Sequence, residues 1–163
     1  MSNLGLEHAL GALGIPFRRA KVGDRHVLEM LRDLNGTIGG ETSGHILCLD
    51  RATTGDGIVS ALQVLAVMRS TGKSLAELAT GMTKYPQVLI NVAIARRIDP
   101  ATVPAITEAV AGAEARLDGR GRVVLRASGT EPLIRVMVEG EERGEVRAIA
   151  ESLAETVRAA AAG

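Results

Sequence analysis

Apolar positions recur along the chain in two distinct rhythms. Leu6, Leu10 and Leu13 fall at helical spacing, and Gly14 followed by Pro16 supplies a stop, so the chain is predicted to open with a helix and a turn. A short strand over Phe17 to Val22 and a helix over Val27 to Leu34 follow. His45 to Leu49 is a nearly continuous apolar run, the pattern of a strand buried on both faces, and a glycine-rich loop leads into it. Beyond Thr53, Thr54 and Gly55, the residues Ile58, Leu62, Leu65 and Met68 step along one stripe of a helix reaching about Ser70, which predicts that stripe to face a core. Ser74 is placed to cap a short helix through Leu78. Strands separated by helices predict α/β layering in this half.

The polar stretch Gly81 to Pro86 marks a boundary, dividing the chain into residues 1–83 and 84–163. The second part reads as strand Val88 to Ile94, helix Val103 to Leu117, strand Arg122 to Arg126, strand Leu133 to Glu139 and a closing helix. That helix carries Val146, Ile149, Leu153 and Val157 on one face, with Ala159 to Ala162 as a fraying end. The order βαββα predicts a small α+β domain with helices on one face of a mainly antiparallel sheet.

Composition narrows the functional classes. Apolar residues make up 46% of the 163 positions but aromatics only 1%, so the cores are built from small aliphatic side chains. Lysine and arginine number 19, as do aspartate and glutamate. With no net charge there is no long-range field to gather nucleic acid or anionic lipid. No apolar run is long enough for a membrane span, and the start lacks a secretory signal, so the expectation is a cytoplasmic protein without nucleic-acid or membrane partners. Cys48 lies among apolar neighbours and reads as an inert buried thiol. His8 and His26 have no ligand spacing with any carboxylate or cysteine, and no metal is assigned to this chain.

Two loops carry candidate chemistry. In Arg126 to Pro132, RASGTEP, Ser128 and Thr130 offer hydroxyls, Gly129 allows close backbone approach, and Arg126 brings a guanidinium fork suited to a phosphoryl group. Arg135, on the return strand, reaches the same anion if its side chain points to that side of the sheet. The competing account is a plain surface hairpin. In Gly39 to His45, GGETSGH, Glu41 and Ser43 could read adjacent sugar hydroxyls, or the segment could be only a flexible connection. Asp24 and Arg25 either border a cleft or form a helix cap with a solvated arginine, the latter being favoured. His45 could donate to a ligand or close its loop.

VLRASGTEPLIRVMVEG is very similar to the phosphate-binding loop and return strand of the α-D-phosphohexomutases, closest to their bacterial phosphoglucosamine mutase branch. GGETSGH resembles the sugar-recognition loop of the third domain of that family, and the two motifs occur in the family's order. AKVGDRHV and TTGDGIVSALQVL resemble further segments of it. The resemblance implies phosphate contacts at Arg126, Ser128, Gly129 and Thr130, with Arg135 added, and sugar contacts at Glu41 and Ser43. Asp24, Arg25 and His45 become possible cleft-bordering residues. Ala127 stands where many members have proline.

The fold implied is the C-terminal part of a phosphohexomutase: a third α/β domain truncated at its start, then the fourth. Partners implied are a hexosamine phosphate or inorganic phosphate and the missing N-terminal domains. The family's phosphoserine and magnesium-holding aspartate loop have no counterpart in these residues, so Mg2+ is expected of the intact enzyme and no cofactor of this chain. The chain alone is expected not to turn over. The intact enzyme would interconvert glucosamine 6-phosphate and glucosamine 1-phosphate, toward UDP-N-acetylglucosamine and peptidoglycan precursors. The truncation would leave a sheet edge open to self-association. Rival readings are a phosphomannomutase or phosphoglucomutase, and a non-catalytic phosphosugar-binding or interaction module.

Overall fold

The Asn3 side chain accepts a hydrogen bond from the Gly5 amide at 3.0 Å, closing the open end of helix α1, Leu4–Ala12. Gly5 is there for space: a Cβ would collide with the Thr83 carbonyl, so this helix packs backbone to backbone against the end of its own unit. The computed structural model describes residues 1–95, 98–129 and 131–162. They form two compact units, Met1–Thr83 and Lys84–Gly163.

In the first unit, the strand expected over Phe17 to Val22 does not form. A strand needs a partner for its amides and carbonyls, and the sheets found among the described residues leave this segment unpaired. Arg19 holds it in place instead, donating to Glu7 at 2.8 and 3.0 Å and to the Ser2 carbonyl at 2.7 Å, with its guanidinium over the Phe17 ring. Helix α2 is Asp24–Asp33 and begins at Gly23, whose φ of 124° is a left-handed value that favours glycine.

Part of the expected glycine-rich loop is a strand. β1, Ile38–Gly40, pairs antiparallel with β2, Ile46–Cys48, with Ile38 opposite Cys48. A side chain at Gly39 would run into Val27 and Leu31, so glycine lets α2 lie against β1. β2 is buried at Leu47 and Cys48, neighbours that project to opposite faces, as the expectation of burial on both faces requires, while Ile46 stays exposed.

Helix α3, Gly57–Thr71, is capped by Asp56, which accepts from the Ile58 and Val59 amides, and ends at left-handed Gly72. Helix α4, Leu75–Leu78, has a reciprocal Ser74–Glu77 capping box. Those bonds from Ser74 hold the Glu77 carboxyl below its ordinary value. The stripe on α3 does not face a core: Ile58 is 75% exposed, and Leu62 and Leu65 are each 55% exposed. The helix period was right, but nothing described in this unit forms a layer over that stripe.

The second unit follows the predicted order closely. Strand β3, Gln87–Ala93, is followed by a single turn of 3-10 helix at Pro100–Thr102 that the pattern did not announce, then helix α5, Pro104–Leu117. β4, Gly121–Ala127, β5, Leu133–Gly140, and α6, Arg143–Ala162, complete it. The sheet order is β3-β5-β4, antiparallel throughout. Ile134, Val136 and Val138 of central β5 are fully buried and pack with Val146, Ile149, Leu153 and Val157 of α6 and with Ile106 and Leu117 of α5. Each such side chain contributes about 1.5–3 kcal/mol. Helix α6 continues to Ala162 and buries Ala161, so the helix does not fray before its alanine tail as expected. No helix among the described residues is long and apolar enough to cross a membrane.

Candidate functional site

The Gly39 to His45 segment closes as a tight connection between β1 and β2. The Glu41 amide donates to the His45 carbonyl at 2.9 Å and the Gly44 amide to the Glu41 carbonyl at 3.0 Å, with Gly44 at positive φ. The turn brings four of the sequence-selected side chains together. Glu41 Oε1 accepts from the Gly23 amide at 2.8 Å, at the start of α2. That partner was invisible in the sequence, lying 18 residues away. It fixes the carboxylate and leaves Oε2 with only a long 3.5 Å contact from Ser43 Oγ. His45 Nδ1 is 3.9 Å from Asp24 Oδ2.

A groove of about 390 Å³ runs past Ser43, Gly44, His45 and Ile46 to Gly55, Asp56 and Gly57. The imidazole of His45 lies so close over Gly55 that any side chain there would strike the ring. Gly55 and Gly57 line this groove although the sequence analysis selects neither as a site residue.

Two expectations at α2 change. Asp24 is the first helical residue, not the cap: the cap is Gly23, without a side-chain bond, and Asp24 Oδ1 accepts from the Arg25 amide at 2.7 Å. Arg25 is not brought to the groove; it is tied to Glu29, four residues on, at 2.8 Å. That bond raises the Arg25 guanidinium and, with His26, lowers the Glu29 carboxyl. Cys48 is a buried free thiol.

The second cluster stands on the β4–β5 hairpin. Arg126 and Arg135 are direct partners across the two strands, with Asn91 of β3 opposite Arg135 on the other side. Directly opposed residues project to the same face, so two arginines start from neighbouring positions on it, an arrangement that like charges disfavour unless an anion joins them. The contrast along the same face is informative. Four positions earlier on β4, Arg122 sits opposite Glu139, which is fully buried, and the two form an ion pair. Near the loop the compensation is looser: Arg135 Nη2 lies 3.6 Å from the exposed Glu131 carboxylate, and its buried Nε has no hydrogen-bond partner among the described residues.

Ser128 is buried at the hairpin end. Its amide donates to the Leu133 carbonyl at 2.9 Å and its Oγ accepts from the Glu131 amide at 3.3 Å, so the hydroxyl proton remains to be donated elsewhere. Gly129 is exposed beside it, and Thr130 lies outside the described residues. Glu131 was not selected from the sequence; only the structure sets it against Arg135. A groove in this unit, about 410 Å³, is lined by Lys84, Tyr85, Pro86, Gln87, Leu89 and Arg143, none of them a selected residue.

Among the described residues, no three carboxylate, imidazole or thiol groups converge as a metal site.

Residues 1–85 match the description "Phosphoglucomutase/phosphomannomutase, alpha/beta/alpha domain III", and residues 89–156 match "Phosphoglucomutase/phosphomannomutase, C-terminal domain". The chain is 62% identical over 161 residues to a phosphoglucosamine mutase of Dechloromonas aromatica, covering 99% of this chain and 36% of that protein. It is 60% identical over 160 residues to that of Alkalilimnicola ehrlichii, covering 98% and 36%. It thus spans little more than a third of the relatives it matches. Aspergillus fumigatus N-acetylphosphoglucosamine mutase shares the fold at a TM-score of 0.81 and 21% identity, over 98% of this chain and 37% of the fungal one. In complex with GlcNAc-6P and magnesium, the fungal enzyme matches at a TM-score of 0.75 and 21% identity, over 98% and 38%.

Proposed function

Because this chain belongs to the phosphoglucomutase/phosphomannomutase family, we propose that its 163 residues recognise a hexosamine phosphate for a phosphoglucosamine mutase. Arg126, Ser128, Gly129, Thr130 and Arg135 take the phosphoryl group. Glu41, through Oε2, and Ser43 accept from and donate to sugar hydroxyls, with Asp24 and His45 bordering the groove. The reaction of the whole enzyme is then the interconversion of glucosamine 6-phosphate and glucosamine 1-phosphate, with Mg2+ held by residues outside this chain.

The observation that carries this reading is a pair of arginines directly opposed across β4 and β5, near a buried serine whose hydroxyl proton has no acceptor among the described residues. Two fixed positive forks and a short donor match the oxygens of one phosphoryl group. The names of relatives at about 60% identity support a hexosamine substrate over mannose or glucose phosphates. Turnover belongs to the whole enzyme in this proposal, since positioning loops supply neither a phosphoryl carrier nor charge neutralisation by a metal.

The test is an amide NMR titration of the purified chain. Inorganic phosphate should move Ser128 and Gly129, glucosamine 6-phosphate should in addition move Glu41 and Ser43, and Arg126→Gln should weaken both by about tenfold or more, the loss of a charge-assisted bond. Phosphate shifts that survive Arg126→Gln unchanged would refute the site, and mutase turnover by the chain alone would refute the division of labour.

A further inference from the structure

Among the described residues Glu131 is the acidic group paired with Arg135, and how it is held suggests what it does there. Its amide is bonded to Ser128 Oγ at 3.3 Å, which anchors residue 131 at the hairpin end. Its carboxylate reaches back to Arg135 Nη2 at 3.6 Å, just beyond hydrogen-bond range, and its side chain is 59% exposed. Arg135 is thus neutralised at a distance while its buried Nε has no partner among the described residues. A structural ion pair would be closer and more enclosed, as Arg122 and Glu139 are on the same face.

Resting on the phosphate-site reading, we infer that Glu131 is a placeholder for the phosphoryl group: its carboxylate occupies Arg135 when the site is empty and must be displaced when a phosphate arrives. The displacement costs little, because the pair is loose and solvated, and the phosphoryl group offers Arg135 oxygens that can reach the Nε as well. Glu131 relieves the repulsion between Arg126 and Arg135 in the empty site and limits the affinity of the filled one. An enzyme that must release and rebind a sugar phosphate gains from weak holding, since a tightly gripped phosphate leaves slowly.

Competition for one arginine predicts a specific non-additivity. Titrated with inorganic phosphate, Glu131→Gln should bind about two- to fivefold tighter than the parent chain, the range set by a loose exposed ion pair. The same substitution made on Arg135→Gln should leave affinity unchanged within error, because there is no contact left to compete for. The Arg135 side-chain Nε–H resonance, followed in parallel, should move on phosphate binding. A gain of equal size in both backgrounds would mean simple charge repulsion and overturn the inference, as would weaker binding in Glu131→Gln. The phosphate-site reading is judged separately by Arg126→Gln: if that substitution leaves affinity intact, the site itself is wrong and the inference falls with it.

Discussion

At the scale of single residues, the face of the β4–β5 ladder that carries Arg135 and Glu139 separates structure from recognition by charge balance. Arg122 opposite Glu139 is a matched pair; Arg126 opposite Arg135 is an unmatched one. Because Glu139 is fully buried, removing Arg122 takes a cationic partner from a carboxylate that water cannot reach. Arg122→Met is expected to destabilise the chain by about 3 kcal/mol, and adding Glu139→Met to recover most of that loss. Urea unfolding of the two single and one double variants measures it; additive losses would mean that the pair is not coupled. The sequence displayed the ingredients of the unmatched pair but not their relation. Arg126, Ser128 and Arg135 could be selected because their chemistry is local, whereas whether Arg135 shares the face of Arg126 depends on register. Glu41 shows the same limit, since its fixed oxygen is held by an amide from another element.

At the scale of elements, legibility followed the number of neighbours. α5, α6 and the three strands of the second unit were readable because each apolar stripe meets another, and α6 buries every residue of its predicted face. The strand misread at Phe17 to Val22 and the α3 stripe misread as core have a common cause. Periodicity reports which side of an element is apolar, not whether anything covers it. The difference is measurable. Ile149→Ala should cost about 2–4 kcal/mol, as removal of buried methyl groups does, whereas Leu62→Gln on exposed α3 should stay within about 0.5 kcal/mol. The same exposed stripe makes concentration-dependent self-association the expected behaviour in sedimentation, and Leu62→Gln with Leu65→Gln should reduce it. A monomer at all concentrations, in both chains, would count against that stripe as a sticky surface and leave only the unpaired β1 and β2 edges to consider.

At the scale of the whole molecule, the two units differ in what holds them. In Lys84–Gly163 two helices and a sheet enclose one continuous apolar core, while in Met1–Thr83 only Leu4, Leu47 and Cys48 among the described apolar side chains are buried. Burial of apolar area is the main favourable term in folding, so the second unit should be stable by itself and the first only marginally so. Native-state hydrogen exchange should therefore resolve two levels: amides of β5 and α6 opening only with global unfolding of their unit, and those of α2, α3 and the β1–β2 pair exchanging at much lower free energy. The functional consequence is separable as well. Since every described phosphate contact proposed lies in the second unit, residues 84–163 expressed alone should fold and bind inorganic phosphate with the affinity of the full chain, but should not distinguish glucosamine 6-phosphate from it. Equal protection across both units would show that the first is stabilised by contacts its sparse core does not reveal, and loss of phosphate binding by a folded 84–163 would mean that the anion site is not complete within that unit.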